Sequence, residues 1–129
     1  MKNPLFLTLA EVVEIQKDQI KRYGGDPGVR DIRLLESAVF QAQASFGEQW
    51  LHKDIFEMAA AYAYHICQNH PFVDANKRTA LAAALMFLEL NGISLLDPKG
   101  QLADAMFKVA KGELTKTQLT NIFQQLPNE

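Results

Sequence analysis

The stretch HPFVDANKRTAL, residues 70–81, sets an imidazole, a carboxylate, an amide and two cations within nine residues, and the chain on either side of it reads as helix. Pro71 disfavours helical geometry in the residue before it, so a helix arriving from the N-terminal side must end near His70. That helix is predicted from about Lys53 to Asn69, helix-rich and largely apolar (IFEMAAAYAYHIC, 55–67). Another is predicted from about Asn76 to Glu89, apolar on most faces (ALAAALMFLEL, 80–90) and closed by Asn91-Gly92 as a C-terminal cap. Two buried helices therefore meet at one short polar loop.

Outward from this centre, punctuation supplies the other elements. Thr8-Leu9-Ala10-Glu11 fits a capping box, and Val12, Val13, Gln16, Ile20 and Tyr23 follow at helical spacing until Gly24-Gly25. GGDPGVRD (24–31) is a turn-rich loop whose Asp31 can cap a helix with Leu34, Leu35, Ala38, Val39 and Ala42 on its apolar face. SFGEQWLH (45–52) is less regular and fits a loop, a short strand or a flap. Pro98 begins or precedes a helix through about Lys111, and Thr115-Lys116-Thr117-Gln118 is a second capping box, opening a helix to about Gln125. No repeat, linker or low-complexity tract divides the chain. The expectation is one all-α domain over residues 1–129, of about six helices, arranged as an orthogonal array rather than a simple four-helix bundle.

Composition agrees and narrows the function. At 129 residues, 48% hydrophobic and 22% charged, the chain is long enough to bury a core without covalent staples. A formal charge of −2 and a pI near 5.9 weigh against a broad nucleic-acid footprint, and so against an RNA-cleaving enzyme. Cys67 is the single cysteine, which rules out an internal disulfide. No run reaches the roughly 18 apolar residues of a membrane span, and Met1–Ala10 lacks the pattern of a signal peptide, so a cytoplasmic protein is expected.

The loop's chemistry has a direct reading. A helix N-terminus exposes unpaired N–H groups and a partial positive charge, so a loop feeding a helix at Asn76 is an anion site. Arg78 can grip phosphate oxygens with its planar fork and Lys77 adds a compact charge. Asp74 offers the hard oxygen that magnesium takes alongside substrate phosphates. His70 suits a general base, since an imidazole titrates near neutrality, and Phe72 suits an inward anchor for the loop. Together these point to phosphoryl or nucleotidyl transfer. An ordinary loop and helix cap would use the same residue types, and spacing alone does not decide between the two. Elsewhere, Arg30 and Asp31 are expected to fix their loop onto the second helix, and Trp50 to be partly buried. His52 is expected at the surface, and Tyr62, Tyr64, Phe87 and Phe107 in the core or at its edge. His65, Cys67 and His70 lack the clustered partners of a zinc site.

The run His70-Pro71-Phe72-Val73-Asp74-Ala75-Asn76-Lys77-Arg78 resembles the motif of the Fic/Doc family, H-x-F-x-[D/E]-G-N-G-R-x-x-R in its Fic branch. Ala75 and Lys77 stand where Fic has glycines, and Leu81 where it has a second arginine. The variant H-x-F-x-D-A-N-K-R looks like the death-on-curing (Doc) toxin branch. The resemblance extends through GGDPGVRDIRLLESAV (24–39) and TALAAALMFLELNG (79–92). It implies ATP- and magnesium-dependent modification of a protein hydroxyl: AMP transfer in Fic enzymes, transfer of the terminal phosphate to elongation factor Tu in Doc. By motif position His70 would be the base, Asp74 the magnesium ligand, and Asn76 and Arg78 the phosphate cradle. Side chains at 75 and 77 narrow the nest, and Leu81 removes a second fork one turn beyond Arg78, which favours an inverted nucleotide pose and γ-phosphate transfer. A binding module without catalysis is the reading from another class, but pure binding has no need of His70. The inhibitory [S/T]-x-x-x-E-[G/N] helix of many Fic proteins has no counterpart in this sequence. The resemblance therefore implies inhibition by an antitoxin whose tail folds in a surface groove, expected at the first helix and GGDPGVRD.

Overall fold

A computed structural model describes residues 3–129. Among these residues it contains six helices and one two-stranded hairpin, in the order α1 (Leu9–Tyr23), α2 (Ile32–Gln41), β1 (Ser45–Phe46), β2 (Gln49–Trp50), α3 (Ile55–Asn69), α4 (Asn76–Leu90), α5 (Gln101–Ala110) and α6 (Lys116–Gln125). None of these helices is long and apolar enough to cross a membrane.

Local chemistry sets most boundaries. Thr8 and Glu11 exchange side-chain-to-backbone hydrogen bonds at the start of α1, and Thr115 and Gln118 repeat the arrangement at α6. Asp31 accepts from the N–H groups of Arg33 and Leu34, and Asp54 from that of Glu57, so α3 begins at Ile55, just past the capping Asp54. Asp97 reaches over Pro98 to accept from the N–H groups of Gln101 and Leu102, both at 2.9 Å, which delays α5 to Gln101. The stretch left open at 45–52 is an antiparallel hairpin pairing Ser45 with Trp50 and Phe46 with Gln49 around a turn at Gly47 (φ 59°).

α3 lies at the centre and packs against α2, α4, α5 and α6. Its Ala59, Ala60, Ala61 and Ala63 are fully buried, and such small side chains let neighbouring backbones approach closely. Tyr62 fills the gap toward α4, its ring 5.2 Å from that of Phe87, while its hydroxyl accepts from the Leu7 N–H at 2.9 Å. On α2, Leu35, Ala38, Val39 and Ala42 are buried as expected, and Leu34 stays at the edge. Each large aliphatic or aromatic side chain buried in this way contributes about 1.5 to 3 kcal/mol. Trp50 is half-buried edge-on to Phe6.

Two expectations are corrected. Phe107 is 55% exposed because it lies on the outer face of α5, with Lys77 above its ring rather than the core. His52 is only 5% exposed: the turn after β2 folds it inward, between α3 and α6.

Candidate active site

Residues 70–75 connect the central helix to α4, and the GGDPGVRD loop pins them in place. Val29 and Phe72 form an isolated antiparallel bridge. The N–H groups of Arg30 and Asp31 donate to the Pro71 carbonyl, and Val73 N–H donates to Gly28. Arg30, expected to fix its loop onto α2, instead reaches the end of α3: its guanidinium donates to the carbonyls of His70 (2.8 and 2.6 Å) and Asn69 (3.2 Å). This clamp holds His70 at φ 50°, ψ 51°, a left-handed conformation that costs a non-glycine residue about 1 to 2 kcal/mol.

Phe72 is fully buried beneath the loop. Its N–H donates to Asn76 Oδ1 (2.9 Å) and its carbonyl accepts from Asn76 Nδ2 (3.1 Å). The Asn76 side chain thus uses one N–H and one lone pair to close the loop, while its backbone N–H stands at the head of α4.

Asp74 Oδ1 accepts from the Ala75 N–H (2.8 Å) and Oδ2 from the Asp26 N–H (3.2 Å). These two donors, with Arg78 and Lys77 as further causes, hold its carboxyl below the usual range, so it is a carboxylate at neutral pH with lone pairs to spare. The approach of the two loops requires glycine at position 25: a Cβ there would stand 2.6 Å from Asp74 Oδ2, at φ 116°. Gln16, 1% exposed, links the layers by donating to the carbonyls of Asp26 and Asp74 and accepting from Gly28. Gln16 stands at a helical spacing position with no sign of this role; a lone amide among apolar spacing positions is the one signal available.

Ala75 caps α4 in the left-handed conformation (φ 61°, ψ 31°) and no side chain caps the helix, so its first-turn N–H groups keep their anion-binding character. Arg78 spends two of its five donors on the carbonyls of Gln19 (3.3 Å) and Gly24 (3.0 Å) at the end of α1. Lys77 lies 5.3 Å above the Phe107 ring. His70, Asp74, Asn76, Lys77 and Arg78 all line one cleft of about 250 Å³, with Cys67 and Ala110 in its wall. Phe72 lies underneath and touches no ligand space. Leu81 is half-buried against a separate apolar hollow with Met106 and Phe107. An imidazole, an ionised carboxylate and an uncapped helix end sharing one cleft can orient a phosphate chain, hold a hard cation and accept a proton.

Comparisons with known proteins show what this chain is similar to. The family model described as Fic/DOC family matches residues 6–88, from before α1 to near the end of α4. The chain is 35% identical over 116 residues to the Protein kinase doc of Escherichia phage P1, covering 90% of each. It is also similar to the Toxin Doc of Mycolicibacterium smegmatis (strain ATCC 700084 / mc(2)155), 42% identical over 73 residues, covering 57% of this chain and 56% of that one.

Proposed function

This chain belongs to the Fic/DOC family, and we propose that it acts as a Doc-type toxin that transfers the γ-phosphate of ATP to a hydroxyl of a translation factor, elongation factor Tu being the first candidate. The observation that carries the reading is that His70, Asp74 and the uncapped start of α4 line one cleft.

In this reading His70 takes the proton of the acceptor hydroxyl, and Arg78 with the first N–H groups of α4 orients the phosphates. Lys77 adds charge, while the reciprocal Phe72–Asn76 hydrogen bonds fix the loop so that no reorganisation is needed during transfer. Asp74 fits magnesium, with a carboxylate already oriented by two backbone donors. Among the described residues no three His, Cys, Asp or Glu side chains converge, so Asp74 would hold the ion together with phosphate oxygens and water. When bound, magnesium would neutralise charge on the transferring phosphate. AMP transfer is the rival within the family. It is disfavoured by Leu81, which turns to an apolar hollow where Fic enzymes place a second arginine.

An antitoxin fits the trough of about 450 Å³ between α1 and α4, floored by Leu7, Ile15, Ala82 and Met86 and rimmed by Glu11, Glu14 and Asp18. An amphipathic helix with cationic flanks matches it in shape and charge. Met86→Glu should then free the toxin from neutralisation without lowering its transferase activity.

The test uses purified protein, magnesium, a cell extract, and ATP labelled in parallel at the α- or the γ-phosphate. Label from γ alone, lost in His70→Ala, supports kinase action. Label from α would replace it with AMP transfer, and no label from either would leave a binding module.

A further inference from the structure

Away from the phosphate cleft, three nitrogens meet. Lys116 Nζ lies 3.2 Å from His52 Nε2 and 3.2 Å from His65 Nε2. The groups facing it are His52 from the turn after β2, Asp54 at the cap of α3, and Glu57 and His65 on α3. Neither carboxylate comes within ion-pair distance of it among the described residues. Lys116 is also the first residue of α6, whose N-terminus carries partial positive charge. On its outer side opens a cleft of about 190 Å³ lined by His52, Asp54, Glu57, Thr120 and Asn121.

An ammonium has three donors and no acceptor, so holding one here requires both imidazoles to present bare Nε2 atoms and carry their protons on Nδ1. For His52 that would place an N–H donor at a buried Nδ1 with no partner in good geometry, the nearby Ala42 carbonyl supporting it only weakly. A neutral amine resolves this: its lone pair accepts from one Nε2–H while it donates to the other imidazole.

We infer that Lys116 is a nucleophilic amine and that the cleft beside it is an acylation site for small neutral acyl esters. The carboxylates of Asp54 and Glu57 in its lining disfavour anionic donors such as acyl phosphates. The lysine nitrogen attacks the ester carbonyl carbon and forms the N–C bond. The C–O bond to the leaving group breaks, and the leaving oxygen departs as an oxyanion with its electron pair. The proton shed by nitrogen passes to an imidazole Nε2 and on to solvent. Burial pushes the Lys116 ammonium below its ordinary range, with only Glu57 opposing, which enlarges the reactive fraction. The same burial lowers His52 and takes His65 down to about 4, so both imidazoles are uncharged at neutral pH and the one with a bare Nε2 can take the proton.

The test exposes the full chain at about pH 7.5 to substoichiometric N-acetoxysuccinimide, a neutral acetyl donor, and follows each lysine by peptide mass mapping. The expected result is acetylation of Lys116 about tenfold faster than of the exposed Lys53 and Lys99, with His65→Gln and His52→Gln slowing Lys116 alone. A Lys116 rate no faster than that of Lys53 in the unaltered protein overturns the inference, whether or not the histidine variants fold. Unchanged Lys116 labelling in both folded variants overturns the role of the imidazoles.

Discussion

Imidazoles and basic side chains share a site at two places in this molecule, and the two are built in opposite ways. At residues 70–78 the groups are near neighbours in sequence, stand open to a cleft, and are held by backbone hydrogen bonds from the 24–31 loop. At Lys116 the partners lie 64 and 51 residues away along the chain and owe their meeting to the packing of α6 and the hairpin's base onto α3. In the first, charge is presented to solvent and neutralising it is left to a ligand. In the second, burial disfavours the charged forms of the lysine and both imidazoles. A chain can thus set one pair of residue types to bind anions and the same pair to make a bare nucleophile, with solvent access as the deciding variable.

The largest expected effect separates catalysis from scaffold. His70→Ala should lower transfer about 100-fold or more while ATP binding stays nearly intact, measured by labelled-phosphate incorporation beside calorimetric binding. Transfer at the normal rate would remove His70 from the mechanism. Next comes the joint between the loops. Gly25→Ala drives a Cβ to within 2.6 Å of Asp74 Oδ2 at a φ suited to glycine, and should cost about 2 to 3 kcal/mol in chemical denaturation together with the magnesium dependence. Lys116 acetylation should be untouched, since the two regions share no residue; a joint loss in protein that remains folded would show them coupled.

Asn76→Ala leaves the buried N–H and carbonyl of Phe72 without partners and should cost about 2 kcal/mol, read as a shift of the urea midpoint. The histidine cluster has a pH signature of its own. Folded His65 stays neutral down to about 4 whereas the unfolded chain binds that proton near 6.5, so stability is lost as pH falls from 6.5 toward 4. The loss should be about 1 to 2 kcal/mol with solvent screening included, and His65→Gln should flatten the slope across that window. The smallest effect is a gain. Ala75→Gly relieves a left-handed alanine at an uncapped helix start and should add up to about 1 kcal/mol, seen as a higher Tm.

Legibility followed the distance between interacting groups. Thr8 with Glu11, Asp31 with Leu34, and Thr115 with Gln118 act within one turn, so their residue types alone announced where α1, α2 and α6 begin. The candidate site was legible for the same reason, its groups lying between His70 and Arg78. What lay hidden was the support: Arg30 on the His70 carbonyl and Gln16 on the Asp74 carbonyl act across 40 and 58 residues. Asn76 was read as part of a phosphate cradle, yet its amide is occupied by Phe72, a partner that only the closed loop brings within reach. His52 and Phe107 were misplaced because a residue's type biases its burial without fixing it.

By itself, then, the sequence determined the six helices, the starting caps of α1, α2 and α6, the family and the run of groups that face the cleft. Those follow from periodicity and from interactions reaching three or four residues along the backbone, whose strength depends little on the rest of the fold. Tertiary structure decided which of those groups remain free for a ligand, how the glycine-bearing 24–31 loop seats Asp74, and which lysine is desolvated beside two imidazoles. These depend on desolvation and on contacts between distant segments, and both arise only when α3 is enclosed by its neighbours.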